Sequence, residues 1–339
     1  MLWIAAALSW TAGGCPASDP AWRVDRTDDQ NWLLSLAGMD DRVLVAGGQP
    51  GPSPAGGIPG RGRLLVLPDD AQAAPTVLDS PTPGMLWWVH ALASAPRVAW
   101  LCGESGSVVR YDANAGTPLS AVTTPSRATL YGIWAFSDDD VWAVGGDTGG
   151  AGVVLHGGRG GFSVDSDAAA LSPATLYKVF AADADHLFFV GQDGTLLRRE
   201  RAGAGAPRWT RDPSPVRDRL LTVWGVGPTA AYVVGGLGSA RLLAFDGEGW
   251  RADDAVAGMA GLAGVYATTS DLLITGQNGL VARRDRMAPL GTPFSVVDPL
   301  TSLDLHAALV RGGTRWAVGG NLSQYPVQPP KGIVLRQGP

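Results

Sequence analysis

The heptapeptide DVWAVGG, Asp140–Gly146, decides the fold, because it recurs in altered form seven times along the chain. Each copy is rich in β-branched and aromatic residues and is bounded by Asp or Gly, which is typical of a short strand. Self-similarity of this kind indicates a repeat architecture. If the glycine near the end of each copy is taken as an anchor, the anchors are Gly47, Gly103, Gly145, Gly191, Gly235, Gly276 and Gly319.

Four strands can be drawn around each anchor, and the third repeat shows them most clearly. Strand a is TLYGIWAF (129–136), strand b is DVWAVG, strand c is GVVLHG (152–157) and strand d is GFSVDS (161–166). We expect the anchor to mark the turn after strand b. Seven such sets, with no helical periodicity between them, predict an all-β fold, a seven-bladed β-propeller with four-stranded blades.

A column of large side chains supports this prediction. The residue three places before each anchor is always aliphatic or aromatic, and we expect it to fill the wedge between neighbouring blades. These residues are Leu44, Trp100, Trp142, Phe188, Tyr232, Leu273 and Trp316.

The N-terminal segment is predicted to close the ring. Trp209 and Trp250, in strand d of their repeats, are each followed three residues later by Asp. Trp22 is followed by Asp in the same way, although it precedes the first repeat, and the seventh repeat stops after strand c. We therefore predict that residues 21–25 form the outermost strand of the last blade, so that this sheet has no incomplete edge.

The composition suits one large β domain. The chain has 339 residues, 45% of them hydrophobic, with 47 Gly and 25 Pro, as in a turn-rich β protein with a large core. Repeats along almost the whole chain predict a single domain over residues 16–339, and we expect a monomer. The net charge of −5 argues against a nucleic-acid partner. The sequence contains no HExxH, paired CxxC, P-loop or GxSxG motif, so no cofactor or metal site is predicted.

The first 15 residues predict export. MLWIAAALSWTAGG is an apolar run that is too short to span a bilayer and is typical of a signal peptide. The small residues before Cys15 resemble the lipobox of bacterial lipoproteins, which implies lipidation of Cys15. The expected location is the outer membrane, periplasm or cell surface of a Gram-negative bacterium. A cleaved, secreted chain and a chain that is not exported are the alternatives. Cys102, the other cysteine, is interpreted as a small buried hydrophobic residue.

The repeat unit resembles those of known propeller families. Its pattern is [V/A]WAVGG, then G-[I/V]-[V/L]-L, then GGF or DGxGW. It is similar to the repeats of sialidase/BNR-like and photosystem II stability-factor-like propellers, and its Gly-Gly pairs resemble kelch repeats. The resemblance covers about residues 20–339 and implies the propeller fold. It implies no activity, because the sialidase Asp-box S-x-D-x-G-x-x-W is absent and no triad of arginines matches the sialidase pattern.

A ring of residues in strand a is the first candidate site. Thirteen residues before the anchors stand Leu34, His90, Gly132, Lys178, Thr222, Ala263 and His306. If strand a lines the channel, His90, Lys178 and His306 share one ring that could hold an anion or supply an acid–base pair. A wet channel without a function is the alternative.

A pair of long loops between strands b and c is the second candidate. They occur in repeat 1 (47–62) and repeat 7 (319–332), which become neighbours when the ring closes. Long loops in compact domains are often functional. We predict that the two loops lie side by side and bind a ligand or partner; a tolerated flexible insertion is the alternative. The residues expected to line them are Gln49, Arg61, Asn321, Gln324, Tyr325 and Gln328.

These features predict a non-enzymatic scaffold that is exported, anchored by lipid, and binds a protein or glycan partner through its loop face. The alternative is a propeller enzyme, a carbohydrate-active hydrolase or lyase with its site at the channel mouth. A compact acid–base or metal cluster near His90 and His306 would favour the enzyme.

Overall fold

The computed structural model describes residues 20–51, 60–70, 73–147, 149–171 and 173–338. Cys15 and the predicted signal peptide lie outside these residues, and so does part of the long loop of repeat 1, 52–59. In chain order the strands are β1 (Trp22–Asp28), β2 (Trp32–Gly38), β3 (Arg42–Gln49), β4 (Arg61–Pro68), β5 (Thr76–Pro83), β6 (Leu86–Ala91), β7 (Val98–Gly103), β8 (Val108–Asp112), β9 (Leu119–Val122), β10 (Leu130–Ser137), β11 (Asp140–Gly146), β12 (Gly152–Gly158), β13 (Gly161–Val164), β14 (Leu176–Asp183), β15 (His186–Gly191), β16 (Leu196–Glu200), β17 (Arg208–Arg211), β18 (Leu220–Gly227), β19 (Ala230–Gly235), β20 (Arg241–Phe245), β21 (Trp250–Ala252), β22 (Leu262–Ala267), β23 (Asp271–Gly276), β24 (Val281–Asp285), β25 (Ser295–Val296), β26 (Asp304–Arg311), β27 (Thr314–Gly320) and β28 (Gly332–Gln337).

The strands form seven antiparallel sheets of four strands, and these sheets are the blades of a propeller. Blades 1 to 6 take consecutive strands, from β2–β5 through β22–β25, and blade 7 is β26, β27, β28 and β1. Within each blade we call the strands a to d from the channel outwards. The a strands of neighbouring blades contact each other around the ring, including β26 with β2. The predicted all-β seven-bladed propeller is confirmed.

Strand β1 closes the ring as predicted. It pairs with β28, so that Trp22 lies opposite Gln337 and Asp28 lies opposite Gly332. The Arg23 Nη1 group donates to the Gly338 carbonyl at 2.7 Å. The strand is longer than residues 21–25, because the pairing continues to Asp28.

The large side chains before the anchors are buried between blades. All seven are between 0 and 8% exposed. Trp100 of blade 2 meets Phe162 of blade 3 edge to face, with ring centroids 6.2 Å apart. Trp142 of blade 3 meets Phe189 of blade 4 in the same way at 6.3 Å. This column therefore packs neighbouring blades together, which confirms its predicted role.

Each anchor glycine lies at or near the end of strand b. In blades 2, 4, 5 and 6 it is the last residue of the strand, directly before the turn as expected, whereas in blades 1, 3 and 7 the strand continues for one or two residues. Gly145 pairs with Leu130 between β11 and β10. At each of the seven anchors an added Cβ would lie less than 3.0 Å from a backbone carbonyl oxygen of strand a or the residue before it, here that of Thr129. Only glycine permits this approach. Directly after the pair, the register of strand a shifts by one residue, between Leu130 and Gly132.

Strand d of blade 3 is shorter than predicted. It ends at Val164, and Asp165 then caps a short helix, α1 (Ser166–Ala170). The Asp165 carboxylate accepts a hydrogen bond from the Ala168 amide at 2.8 Å, which satisfies one of the free N–H groups at the start of the helix. Across the described ranges, no helix is both long enough and apolar enough to cross a bilayer.

Candidate functional site

A bulge in strand a of every blade builds one ring of side chains around the channel. Near the start of strand a in each blade, the pairing of strands a and b skips one residue, and that residue has no partner in strand b. A bulge re-aims the side chain of the extra residue. The seven bulge residues, which we call the bulge ring, all line one cavity of about 470 Å³: Leu34, Trp87, Tyr131, Tyr177, Leu221, Ala263 and His306.

The bulge ring corrects the ring predicted from the sequence. Leu34, Ala263 and His306 belong to it, as expected. Lys178 lies one residue after the bulge of its blade and still lines the cavity. His90 lies three residues after its bulge and does not line the cavity. The predicted grouping of the two histidines and the lysine in one layer is therefore wrong.

The error comes from the connection between strands a and b, whose length varies. In blade 1, Leu33 pairs with the anchor Gly47. In blade 2, Leu86 pairs with the anchor Gly103, so the segment is three residues longer. Counting back a fixed distance from the anchors therefore reaches different positions in different blades. Counting back thirteen residues from the anchors likewise reaches Gly132 and Thr222, each of which lies one residue after the bulge residue of its blade.

The cavity opens on the face that carries the loops between strands b and c and between strands d and a. Beyond the strands, its lining includes Gly236 and Leu237 of blade 5, Gln277 of blade 6, and Leu322 and Ser323 of blade 7. All of these follow strand b of their blades. The long loop of blade 7 thus forms part of the cavity mouth.

Three aromatic side chains from blades 2, 3 and 4 form a wall of the cavity. The rings of Trp87 and Tyr131 are 5.2 Å apart, those of Tyr131 and Tyr177 are 5.3 Å apart, and both pairs meet edge to face. The Tyr177 hydroxyl donates to Gln192 Oε1 at 2.8 Å, and Arg219 Nε donates to the same oxygen at 3.0 Å. A wall of this kind can hold a planar or apolar group.

Lys178 is buried beside the aromatic wall. It is 6% exposed, and its Nζ donates to the Tyr131 carbonyl oxygen at 3.2 Å. The same nitrogen lies 3.0 Å from the ring centroid of Trp88. Burial holds the pKa of Lys178 well below its usual range. Among the residues that the structure describes, no carboxylate forms an ion pair with this lysine.

His306 and Cys102 also lie close to Lys178. Burial lowers the pKa of His306 to about 4, and the charge of Asp304 opposes this shift. His306 is therefore a neutral imidazole at pH 7. Cys102 is fully buried in β7, and burial raises the pKa of its thiol to about 12. Its interpretation as a small buried hydrophobic residue is confirmed.

His90 belongs to a second cluster on the a strands, where aromatic rings from blades 2 to 6 contact each other. Its ring lies 4.0 Å from that of Trp134, which lies 5.5 Å from Trp224, which lies 4.7 Å from Tyr266. Phe180 contacts both tryptophans. We call these five residues the aromatic plug. Burial lowers the pKa of His90 to about 4, so His90 packs in the plug as a neutral ring.

The described parts of the long loops of blades 1 and 7 contact each other. The Tyr325 hydroxyl donates to the Gly51 carbonyl, and its ring meets Trp32 edge to face at 5.3 Å. Asn321 is buried, and its Oδ1 accepts from Trp32 Nε1 at 3.0 Å and from the Lys331 amide at 2.8 Å. Asn321 therefore holds the blade 7 loop in place.

The other predicted loop residues lie on the rim and outside the cavity lining. Gln49 and Arg61 are exposed and face each other across β3 and β4. Gln324 is partly buried, and its carbonyl accepts from the amide of the exposed Gln328 at 3.0 Å. A binding role for these residues stays a prediction.

Sequence reasoning missed Trp87, Tyr131, Tyr177 and Arg219. A signal was present, because the first three directly follow the leucine that pairs with the anchor, in LWW, LYG and LYK. Recognising it needs the position of the bulge, which the sequence does not reveal. Arg219 comes from a loop whose approach to the cavity depends on the fold.

No acid–base pair of histidines is assembled, because His90 is in the plug and His306 is in the bulge ring. Groups of three or more His, Cys, Asp or Glu side chains that could hold a metal ion are absent from the described ranges.

Comparison with known proteins finds similarity of structure only. No family model matches the chain, and no curated protein sequence matches it. The structure titled YCF48 bound to D1 peptide is 12% identical with a TM-score of 0.61, covering 96% of this chain and 99% of that one. YCF48 from Cyanidioschyzon merolae is 13% identical with a TM-score of 0.59, covering 94% and 98%.

A third similar structure is the WD40 β-propeller domain of Doa1. It is 12% identical with a TM-score of 0.62, and the match covers 93% of this chain and 96% of that one. At identities this low, structural similarity establishes a common fold only. Activity and partner have to be inferred from the site itself. The chain is a seven-bladed β-propeller whose fold is similar to those of YCF48 and of the Doa1 domain.

Proposed function

We propose that this propeller is a scaffold that binds a protein partner on the face where the cavity opens. The observation that carries the proposal is the cavity itself, which has an aromatic wall of Trp87, Tyr131 and Tyr177 and a mouth bordered by the blade 7 loop. Aromatic side chains with polar groups at their edge are common at the centre of protein interfaces. The exposed Val327 extends this surface, since it is 90% exposed in the same loop.

The fold comparison supports a protein partner. One similar structure is described as YCF48 bound to D1 peptide, so a propeller of similar fold and length binds a peptide. We extend this to the present chain as a proposal, with an extended segment of the partner entering the cavity mouth.

A glycan partner is the second candidate, and the aromatic wall favours it because sugar rings also pack on aromatic faces. Hydrolysis of a glycan is less well supported. Glycoside hydrolases commonly use two carboxyl groups, and within the described cavity lining Asp304 is the one carboxylate. We therefore prefer binding to catalysis.

We also propose that the chain is exported and anchored through lipidated Cys15, on the sequence pattern alone. The apolar run before Cys15 is what supports this. Export and anchoring would place the propeller at the cell envelope. Mass spectrometry of the mature N-terminus tests it: a diacylated cysteine supports the anchor, and an unprocessed Met1 contradicts it.

Site-specific photocrosslinking in the native host tests the binding face. A photoreactive amino acid at Val327 reports on the cavity face. The matched control is Met287, which is 69% exposed and lies between β24 and β25 on the opposite face. We expect a discrete protein adduct from position 327 and none from position 287.

Substitution within the wall separates specific from incidental contact. Trp87→Ala combined with Tyr177→Ala should abolish the adduct at position 327 while circular dichroism shows an unchanged fold. Adducts of equal yield from both faces, or an adduct that survives the double substitution, would contradict the proposed site. An adduct that carries only carbohydrate would support the glycan candidate.

A further inference from the structure

Lys178 is a lysine that is buried without a carboxylate beside it in the described part of the chain. Its side chain is 6% exposed and has no carboxylate partner in the described part of the chain. Transfer of an unpaired ammonium to an apolar site costs so much that the group instead loses its proton. Neither of two titratable groups close to Lys178 supplies a negative charge that would stabilise an ammonium, because His306 is neutral and the buried Cys102 thiol stays protonated. Arg219 and Asp304 also line the cavity, with opposite charges.

The nitrogen of Lys178 makes two contacts, and a neutral amine can make both of them. A neutral amine has two N–H bonds and one lone pair, whereas an ammonium has three N–H bonds. The Tyr131 carbonyl oxygen, at 3.2 Å, and the face of the Trp88 ring, at 3.0 Å, account for two N–H bonds. A third N–H bond would have no partner among these contacts. In the neutral amine the lone pair is not used by either contact, and Lys178 lines the cavity.

We propose that Lys178 is a nucleophilic amine that forms an imine with an aldehyde or ketone carrying an apolar or aromatic body. The geometry supports this, since Lys178 lines a cavity of about 470 Å³ that opens on one face of the propeller. That volume lies within the usual range of small-molecule sites. The wall of Trp87, Tyr131 and Tyr177 would contact the body of the carbonyl compound. The proposal does not depend on a protein partner.

The reaction needs no oxidant or reductant. The Nζ lone pair attacks the carbonyl carbon, a C–N bond forms, and the π electrons move to oxygen. A proton passes from nitrogen to that oxygen, and the neutral imidazole of His306 lines the same cavity and can relay it. A proton from solvent then protonates the hydroxyl group of this carbinolamine, the C–O bond breaks with loss of water, and the nitrogen lone pair forms the C=N bond. The remaining N–H proton returns to solvent, so no net proton is consumed. One amine and one carbonyl compound thus give one imine and one water.

The chain supplies its own control, because Lys178 and Lys331 are its only lysines. Lys331 is exposed in the blade 7 loop. The full chain is incubated with benzaldehyde at pH 7, reduced with borohydride and mapped by peptide mass spectrometry. We expect benzylation of Lys178 to exceed that of Lys331 by roughly tenfold or more, since each unit by which a pKa is lowered raises the neutral fraction about tenfold.

Two further measurements, a comparison of two pH values and a cavity-filling variant, test the assignment to Lys178. Between pH 9 and pH 7 labelling of Lys331 should fall steeply, whereas labelling of Lys178 should change little. Ala263→Phe, which fills the bulge ring without altering the lysine, should lower labelling at Lys178 and leave Lys331 unaffected. Labelling confined to Lys331, or labelling of Lys178 that falls with pH in parallel with Lys331, would overturn the proposal. So would labelling of Lys178 that is unchanged in Ala263→Phe.

Discussion

Each anchor glycine lets strand b approach strand a at the point where strand a bulges. The recurrence of Gly145 and its counterparts was visible in the sequence, and so was the burial of Trp142 three residues earlier. The consequence of the glycine was not visible. It depends on a carbonyl oxygen of the neighbouring strand, that of Thr129, whose position only the fold determines. The bulge that follows aims a side chain at the cavity, so the glycine and the cavity residues are linked.

Gly145→Ala should strongly destabilise the protein. The added Cβ would lie less than 3.0 Å from the Thr129 carbonyl oxygen, which belongs to backbone and cannot move aside cheaply. We expect a loss of about 1–3 kcal/mol, as for other overpacked sites, measured by urea unfolding. The matched control is Gly160→Ala in the same blade, where an added Cβ would meet nothing within 4 Å. Equal losses at the two positions would contradict this account.

His90→Phe should make the protein less sensitive to acid. Burial lowers the pKa of His90 from 6.5 to about 4. Between these values the unfolded chain binds a proton that the folded chain does not, so stability is lost as the pH falls through this window. Other members of the plug are aromatic, so Phe should fit. We expect the loss in unfolding free energy between pH 7 and pH 5 to shrink by about 2 kcal/mol. If His90→Phe and the unsubstituted protein lose the same unfolding free energy between pH 7 and pH 5, the ring of His90 is not the source of the acid sensitivity.

The bounds of a strand could be predicted where neighbouring residues in the sequence mark them. Strand b of blade 3 was predicted at its observed start, Asp140, because turn residues and β-branched residues mark it. Strand d ended early at Val164, because the Asp165 side chain starts a helix instead. The extra residues between strands a and b of blade 2 were not seen, because no repeat of the pattern marks where strand a begins. Ion pairs between blades could not be predicted from the sequence either, because they join residues that are distant along the chain.

Arg284→Met should destabilise the contact between blades 5 and 6. The Arg284 guanidinium, 3% exposed, donates to the fully buried carboxylate of Asp253. Removing one partner leaves an uncompensated buried charge, which costs about 3–5 kcal/mol. The control is Arg63→Met, which breaks the exposed Arg63–Asp79 pair and should cost less than about 1 kcal/mol. Chemical unfolding of both variants checks this, and a small loss for Arg284→Met would be contrary to it.

The closure of the whole ring could be predicted because its signal is a spacing. Trp22 stands 25 residues before the next anchor, and Trp209 and Trp250 stand 26 residues before theirs. The cavity could not be predicted in the same way. It is made by one residue from each of seven blades, and a shift of one or three residues in a single blade moves Lys178 or His90 to another layer. A site of this kind depends on the register of every strand at once.

Deletion of residues 16–28 should lower the melting temperature markedly. It removes β1 and exposes the outer edge of β28, including the buried Leu335, which pairs with Val24. For a loss of several kcal/mol we expect a decrease of roughly 5–10 °C in differential scanning calorimetry. A shorter deletion of residues 16–20, which leaves β1 intact, is the control. An unchanged melting curve for the longer deletion would exclude closure by β1.

The pairing of β1 with β28 also sets how the molecule bears mechanical load. The strands are antiparallel, so Trp22 and Gln337, near the two ends of the described chain, lie opposite each other at one end of blade 7. Tension between the two ends pulls along the hydrogen bonds, which run perpendicular to antiparallel strands. These bonds then break one pair at a time, as in a zipper. Blade 7 is thus the place where the ring yields first when it is stretched from its ends.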